Sequence, residues 1–441
     1  MRNTSNATVL IFGAATTAAA LWLLWRRWRQ SQRTERRLST AEFCSLAPKL
    51  ELHVHLDGAF DAPYLYACAR KYVDDLPESL DLMGRHCALR EIVRNAASEQ
   101  EFLEEHLVLP PTCAKLTDFL APFPLSMAIV KAAVRAEGLA PIEELAFLFA
   151  KRQHESNAVY TEVRYNPHLF LEQEQLADSG EARYAAAKAV VDAVSRGLRR
   201  GEREFNVTLR QMLCCIDFAP EWSDDCARLL KEVGRARGLV AIDVAAGEGH
   251  FSAADGVILQ AVRAAKAAGF GVSIHAGEDP NSGGTAANVR RAIEDYGATR
   301  IGHGYALLTD PALVEVVRGR GVHLEACPTS SWLTGGFAPK TRPWTEHPIC
   351  RFCRLGVSCG VNTDDPTPAG IGLSGEWRRC VDDIGMSTDE MRSMADRDVE
   401  AAFCSDAEKA ALRRRFDAFY TECVVCPSST AVELPETKQS A

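Results

Sequence analysis

Apolar, β-branched runs recur along the chain at residues 49–55, 159–165, 207–215, 239–244, 270–275, 300–303, 322–327 and 357–363. Their lengths suit strands, and most are separated by Ala/Arg/Glu/Leu-rich stretches with helical spacing, such as 182–199 and 253–268. Strand alternating with helix eight times predicts an α/β fold of the (β/α)8 TIM-barrel type. The interval between His55 and Val159 is too long for a single loop. It is expected to form a helical insertion after the first strand, capping the barrel mouth.

The pattern differs at the N-terminus, where residues 8–25 carry no charge and run into Arg26, Arg27, Arg29, Arg33, Arg36 and Arg37. Eighteen helical residues would span roughly 27 Å, close to a hydrocarbon core of about 30 Å, so this reads as a transmembrane-like helix. The basic flank predicts a cytosolic catalytic domain, with Trp22, Trp25 and Trp28 near the membrane interface. Two rivals stand beside a retained anchor: an organelle-targeting signal, and a secretory signal cleaved near Ala18-Ala19-Ala20, although only Arg2 precedes the apolar run. The chain thus divides into an anchor or targeting segment with a basic linker (1–40), a barrel (41–425) and a polar tail (426–441).

With 441 residues, 47% hydrophobic and 25% charged, the chain can bury a large core. The formal net charge of -9 argues against a nucleic-acid partner. Fifteen cysteines without a regular framework suggest free thiols rather than disulfides.

Active-site residues of such barrels sit at the C-terminal ends of strands, and the chemistry-bearing residues gather there. The first run ends in His53-Val54-His55, the fifth in His275-Ala276-Gly277-Glu278, the sixth in His303-Gly304 and the eighth in Thr363-Asp364-Asp365-Pro366. A histidine at one strand end is more often structural than a ligand; four equivalent positions together point to a site. Strand alternation puts His53 and His55 on one face. With His275 and Asp364 they offer three nitrogens and an oxygen, the donor set of one catalytic zinc. A water activated there needs a base, for which His303 is the candidate, and Glu278 is placed as general acid.

These motifs resemble the adenosine deaminase family, animal type. The similarity rests on His-Val-His-Leu-Asp-Gly (53–58), Ser-Ile-His-Ala-Gly-Glu (273–278), Gly-His-Gly-Tyr (302–305) and Asn-Thr-Asp-Asp-Pro (362–366), in family order. It implies hydrolytic deamination of adenosine and 2′-deoxyadenosine to inosine and 2′-deoxyinosine plus ammonia, by a zinc-generated hydroxide attacking purine C6. By motif, His53, His55, His275 and Asp364 correspond to metal ligands, Glu278 to the proton donor at N1 and His303 to the residue that orients and deprotonates water. Asp365 corresponds to the carboxyl at N7 and Asp57 to that at the ribose 5′-hydroxyl. Leu116, Phe119, Leu120 and Phe123 fall at an apolar lid. The run Asp243-Val244-Ala245-Ala246-Gly247-Glu248 departs from the family pattern. Ala246 stands where a glycine approaches purine N3, unless one residue is inserted and Gly247 takes that place.

No lysine stands at the fourth strand end, which favours one metal over two. His323-Leu324-Glu325 with Cys350 and Cys353 is a near miss to a different zinc-deaminase signature, lacking the proline before Cys350. Alternatives are a deaminase of AMP or N6-methyl-AMP, and a catalytically weak, membrane-tethered adenosine-binding protein. The first would need cations for a phosphate that Asp57 would repel; the second predicts a lost ligand, Glu278 or His303, and none is lost.

Overall fold

Eight parallel strands run in chain order around one sheet: β1 Lys49–His55, β2 Ala158–Tyr165, β3 Thr208–Ile216, β4 Leu239–Ala245, β5 Gly271–Ala276, β6 Arg300–His303, β7 His323–Ala326 and β8 Ser358–Val361. They come from a computed structural model that describes residues 36–82, 85–177, 180–252 and 256–425. The strands lie within a residue or two of the apolar runs, except that the eighth run leaves regular strand before Asn362. Every residue of β2 and β4 is buried, as expected of a parallel sheet covered on both faces.

No ladder joins β8 to β1; the seam is closed by an isolated parallel bridge between Val54 and Asp364. The His55 N–H donates to the Asp364 carbonyl at 2.8 Å and the Asp364 N–H to the His53 carbonyl at 3.1 Å. Below it, the Asn362 side-chain oxygen accepts from the backbone N–H groups of Leu52 and His53 at 2.7 and 3.0 Å. Three predicted metal ligands, His53, His55 and Asp364, are therefore fixed by the bonds that close the barrel.

The long interval after β1 is mostly helical, with one short antiparallel pair, Leu80–Leu82 against Arg85–Cys87. Its last helix, Ala140–Glu155, lies on the barrel wall against Glu181–Phe205. Close approach there depends on glycine: a Cβ on Gly197 would sit 2.1 Å from the Glu143 carbonyl oxygen, and one on Gly201 2.1 Å from the Ala150 Cβ. The preceding helices, including Leu116–Phe119 and Phe123–Glu137, roof the mouth.

The apolar segment 8–25 and the tail 426–441 lie outside the described residues. Within the sequence-defined linker, Arg36–Leu38 forms a short strand paired in parallel with Cys423–Val425. Every described cysteine is free.

At the start of β1, the buried Lys49 ammonium donates to the carbonyls of Ala47, Ser156 and Ser45 at 2.8, 3.0 and 3.2 Å. Burial lowers its pKa to about 7. The unfolded chain keeps this proton well above pH 7, so between the two pKa values it binds more protons than the folded barrel. This group's contribution to stability consequently rises with pH above 7 and is lost as pH falls through 7. In urea unfolding from pH 7 to 10, the stability of the natural chain relative to Lys49→Met should increase with pH; parallel curves would contradict the assignment.

Candidate active site

The strand ends converge as the sequence predicts. His53, His55, His275 and Asp364 present ligand atoms that all lie within 4.8 Å of one another. The His53 Nε2 is 3.1 Å from the Asp364 Oδ1, the His55 Nε2 3.4 Å from the same oxygen, and the His55 and His275 Nε2 atoms are 3.2 Å apart. Asp364 and His303 occupy left-handed backbone, with φ of 65° and 64°, conformations costly for residues with a Cβ and concentrated at functional sites.

What aims the imidazoles lies one layer deeper. His53 Nδ1 meets the Glu325 carboxylate at 2.7 Å, and His275 Nδ1 meets that of Asp243 at 3.0 Å. Carboxylates accept, so each Nδ1 carries the hydrogen and each Nε2 turns a lone pair into the cluster. Arg164 bridges the two carboxylates, at 2.7 Å to Glu325 and 3.0 Å to Asp243. Arg300 continues the network to Glu325 and Glu162 at 2.6 and 2.5 Å, and its guanidinium stacks on Phe403. All five charged residues are fully buried. Burial opposes ionisation of Glu325 and Asp243, yet Arg164 and the neighbouring cations hold both well below the usual carboxylate range.

The same geometry tests the fit of a metal. Nitrogen lone pairs facing one another and a carboxylate repel unless a proton or a cation lies between them. Burial disfavours the charged His275 ring, but the Asp243 carboxylate prevails and raises its pKa to about 9. A cation bound among these atoms would take the place of that proton, and three imidazole nitrogens with one carboxylate suit zinc. A second grouping, His53, His303, Cys327 and Asp364, is also compact. In it the Cys327 thiol is turned towards the Glu325 carbonyl, 3.7 Å away.

Above the cluster opens a cavity of about 720 Å³. The predicted residues His55, Asp57, Leu116, Phe119, Leu120, Phe123, Ala246, Gly247, His275, Glu278, His303, Asp364 and Asp365 all line it. His53 lies in the cluster beneath. Glu278 is pushed up to about 8, first by burial and then by the Asp364 carboxylate, and so is protonated at neutral pH. Burial holds the His303 ring neutral; both its nitrogens lack hydrogen-bond partners among the described residues, and Nε2 lies 3.7 Å from Glu278. Oδ1 of Asp57 and of Asp365 are likewise buried and unpartnered. Burial and then Asp364 drive Asp365 well above the ordinary range, while burial raises Asp57 to about 6.

The departure at the fourth strand end resolves at the backbone. Ala246 adopts φ of 77°, the left-handed conformation that favours glycine. A Cβ on the next residue, Gly247, would lie 2.8 Å from the Asp217 carboxylate. No inserted residue is needed to put Ala246 in the left-handed position; its methyl packs with the cluster around Cys214 and Ile216.

Sequence reasoning missed Glu325, Asp243, Arg164 and Ser330, whose hydroxyl donates to the Asp364 Oδ2 at 2.6 Å. A charged residue inside a strand of otherwise buried type was the available signal for the first three. His323, by contrast, pairs with Asp398 and Ser358 away from the cluster, and Cys350 and Cys353 lie on the helix Pro348–Arg354, so the second deaminase signature is not assembled. If the carboxylates fix the ligand tautomers, Asp243→Asn should lower zinc affinity about 10- to 100-fold in competition with a chromophoric chelator. Unchanged affinity would contradict that role.

The sequence matches the adenosine deaminase family over residues 48–419. Adenosine deaminase of Bos taurus is 31% identical over 376 residues, covering 83% of this chain and 92% of the relative. That of Clostridium perfringens is 31% identical over 369 residues, covering 83% and 97%. Among solved structures, a zinc-bound amidohydrolase from Burkhoderia ambifaria superposes with a TM-score of 0.67 at 22% identity, covering 88% of this chain and 96% of that one. The N6-methyl-AMP deaminase of Arabidopsis thaliana does so with 0.65 at 21%, covering 86% and 98%. By sequence, the chain belongs to the adenosine deaminase family of hydrolytic deaminases.

Proposed function

We propose that this deaminase acts on adenosine and 2′-deoxyadenosine with one zinc ion held by His53, His55, His275 and Asp364. The observation that carries the reading is geometric: three histidine nitrogens and the Asp364 carboxylate converge below one cavity, with Glu278 and the His303 ring, 3.7 Å apart, on its wall. Zinc bound there would supply a Lewis acid, lowering the pKa of a water from 15.7 towards about 7. His303 orients that water and takes its proton. Glu278 gives its proton to purine N1, so that C6 accepts the attacking oxygen, and the proton held by His303 passes to the amino group, which leaves as ammonia. N7 is an acceptor, and Asp365, kept protonated, is suited to donate to it. Asp57 receives the ribose 5′-hydroxyl, and the Ala246 N–H is offered to N3.

A nucleotide reading, AMP or N6-methyl-AMP, draws support from one observation. Lys131, on the helix Phe123–Glu137, lines the cavity and is its only Lys or Arg among the described lining residues. Against it stands Asp57, whose carboxylate would face a 5′-phosphate. The charge-free segment 8–25 with its basic flank supports a retained membrane tether, with the barrel on the cytosolic side. Full-length chain should remain in the membrane pellet after an alkaline carbonate wash, and release into the supernatant would overturn the tether.

Ultraviolet assays of the full chain should show adenosine turning over faster than AMP; equal or faster turnover of AMP would reverse the substrate assignment. Glu278→Gln should retain one zinc per chain while kcat falls about 10²- to 10⁴-fold. Near-normal turnover by that variant would remove Glu278 from the mechanism.

A further inference from the structure

Glu278 sits on a loop after β5, following Gly277 at φ of 67°, where no strand ladder holds it. A proton donor must be held to a fraction of an ångström, so something else has to fix this peptide. The Ala306 N–H holds its carbonyl side, donating to Gly277 at 2.9 Å, and the group that holds its N–H side comes from the loop after β4. One carboxylate oxygen of Glu248 accepts the Gly277 N–H at 2.9 Å, and the other accepts the Glu278 N–H at 3.0 Å. Asn288 donates to Glu248 at 2.7 Å, and Gly284 packs so closely that a Cβ would lie 2.8 Å from the carboxylate. The Glu248 loop is itself tied down, the His250 N–H donating to Asp217 at 2.5 Å.

We infer that Glu248 is a positioning residue for the reaction: both its oxygens clamp the Gly277–Glu278 backbone and so place the proton donor. Ala246, offered to purine N3, is two residues away on the same loop. The loop that meets one edge of the purine thus also sets the acid for the other. Glutamine is nearly isosteric with glutamate but has a single acceptor oxygen, and its NH2 group would oppose the second amide.

The inference rests on Glu278 being the proton donor, and the experiment separates the two. Glu248→Gln and Asn288→Ala are compared with Glu278→Gln in the zinc-loaded full chain. In Glu248→Gln, kcat per zinc should fall roughly 10- to 100-fold, with KM within about threefold because the lost placement matters most in the transition state. Its alkaline limb of kcat should move to lower pH, since a negative charge beside Glu278 is gone, and amide exchange at residues 277–279 should accelerate. Asn288→Ala, a milder change outside the donor loop, should shift kcat and exchange in the same direction by less, and serves if Glu248→Gln does not fold. Unchanged kcat per zinc, alkaline limb and exchange in the folded variants would overturn the inference. If Glu278→Gln itself stays active, the donor assignment fails and the clamp has no catalytic task.

Discussion

The site depends on a buried guanidinium that its two orienting carboxylates share. Arg164 lies between Glu325 and Asp243 in the barrel interior, and without it Glu325 would keep only Arg300 and the His53 ring, and Asp243 only the His275 ring. Such charges are tolerated only when paired and hydrogen-bonded; removing one partner of a buried pair typically costs about 3–5 kcal/mol. Once ionised, the carboxylates dictate which nitrogen of His53 and of His275 bears hydrogen. The direction of the metal-facing lone pairs follows from charge balance one layer below. Arg300 and Glu162 extend this support towards the barrel floor, so a stratum that in many barrels is purely apolar here serves the chemistry above it.

The second constraint is topological. A parallel barrel must close between its first and last strands, and this one closes by bonds between His53, His55 and Asp364 rather than by a continuous ladder. The donors are fixed from two sides, by the backbone seam and by the ionic layer. Strain at Asp364, His303 and Ala246 is sustained by these surroundings. The remaining polar groups, orphaned oxygens on Asp57 and Asp365 and the bare ring of His303, face a cavity whose roof is the apolar insertion.

Much of this was legible in the sequence because it obeys short periods. Alternation placed His53 and His55 together, and the strand-helix rhythm put His275, His303 and Asp364 at equivalent heights. The supporting layer was less legible. In a parallel barrel both faces of a strand are buried, so the pattern does not tell interior from helix-facing positions; Arg164, Asp243 and Glu325 look like polar interruptions. Glu325 stood in a near-match to another zinc signature, and only its distance to His53 gives it a role. Likewise, the left-handed backbone of Ala246 is a property of φ, which an alanine in a sequence does not announce. The pairing of Arg36–Leu38 with Cys423–Val425 joins segments too far apart for local pattern to connect.

In the proposed metal site the ionic layer presents three histidine nitrogens and the Asp364 carboxylate to a single zinc, rather than the neighbouring set that includes Cys327. Zinc K-edge X-ray absorption on the zinc-loaded full chain tests this directly. One zinc per chain is expected, with a nitrogen and oxygen shell, the multiple-scattering signature of three imidazoles and no sulfur neighbour. A sulfur scatterer, or a second zinc with a short metal–metal vector, would contradict it.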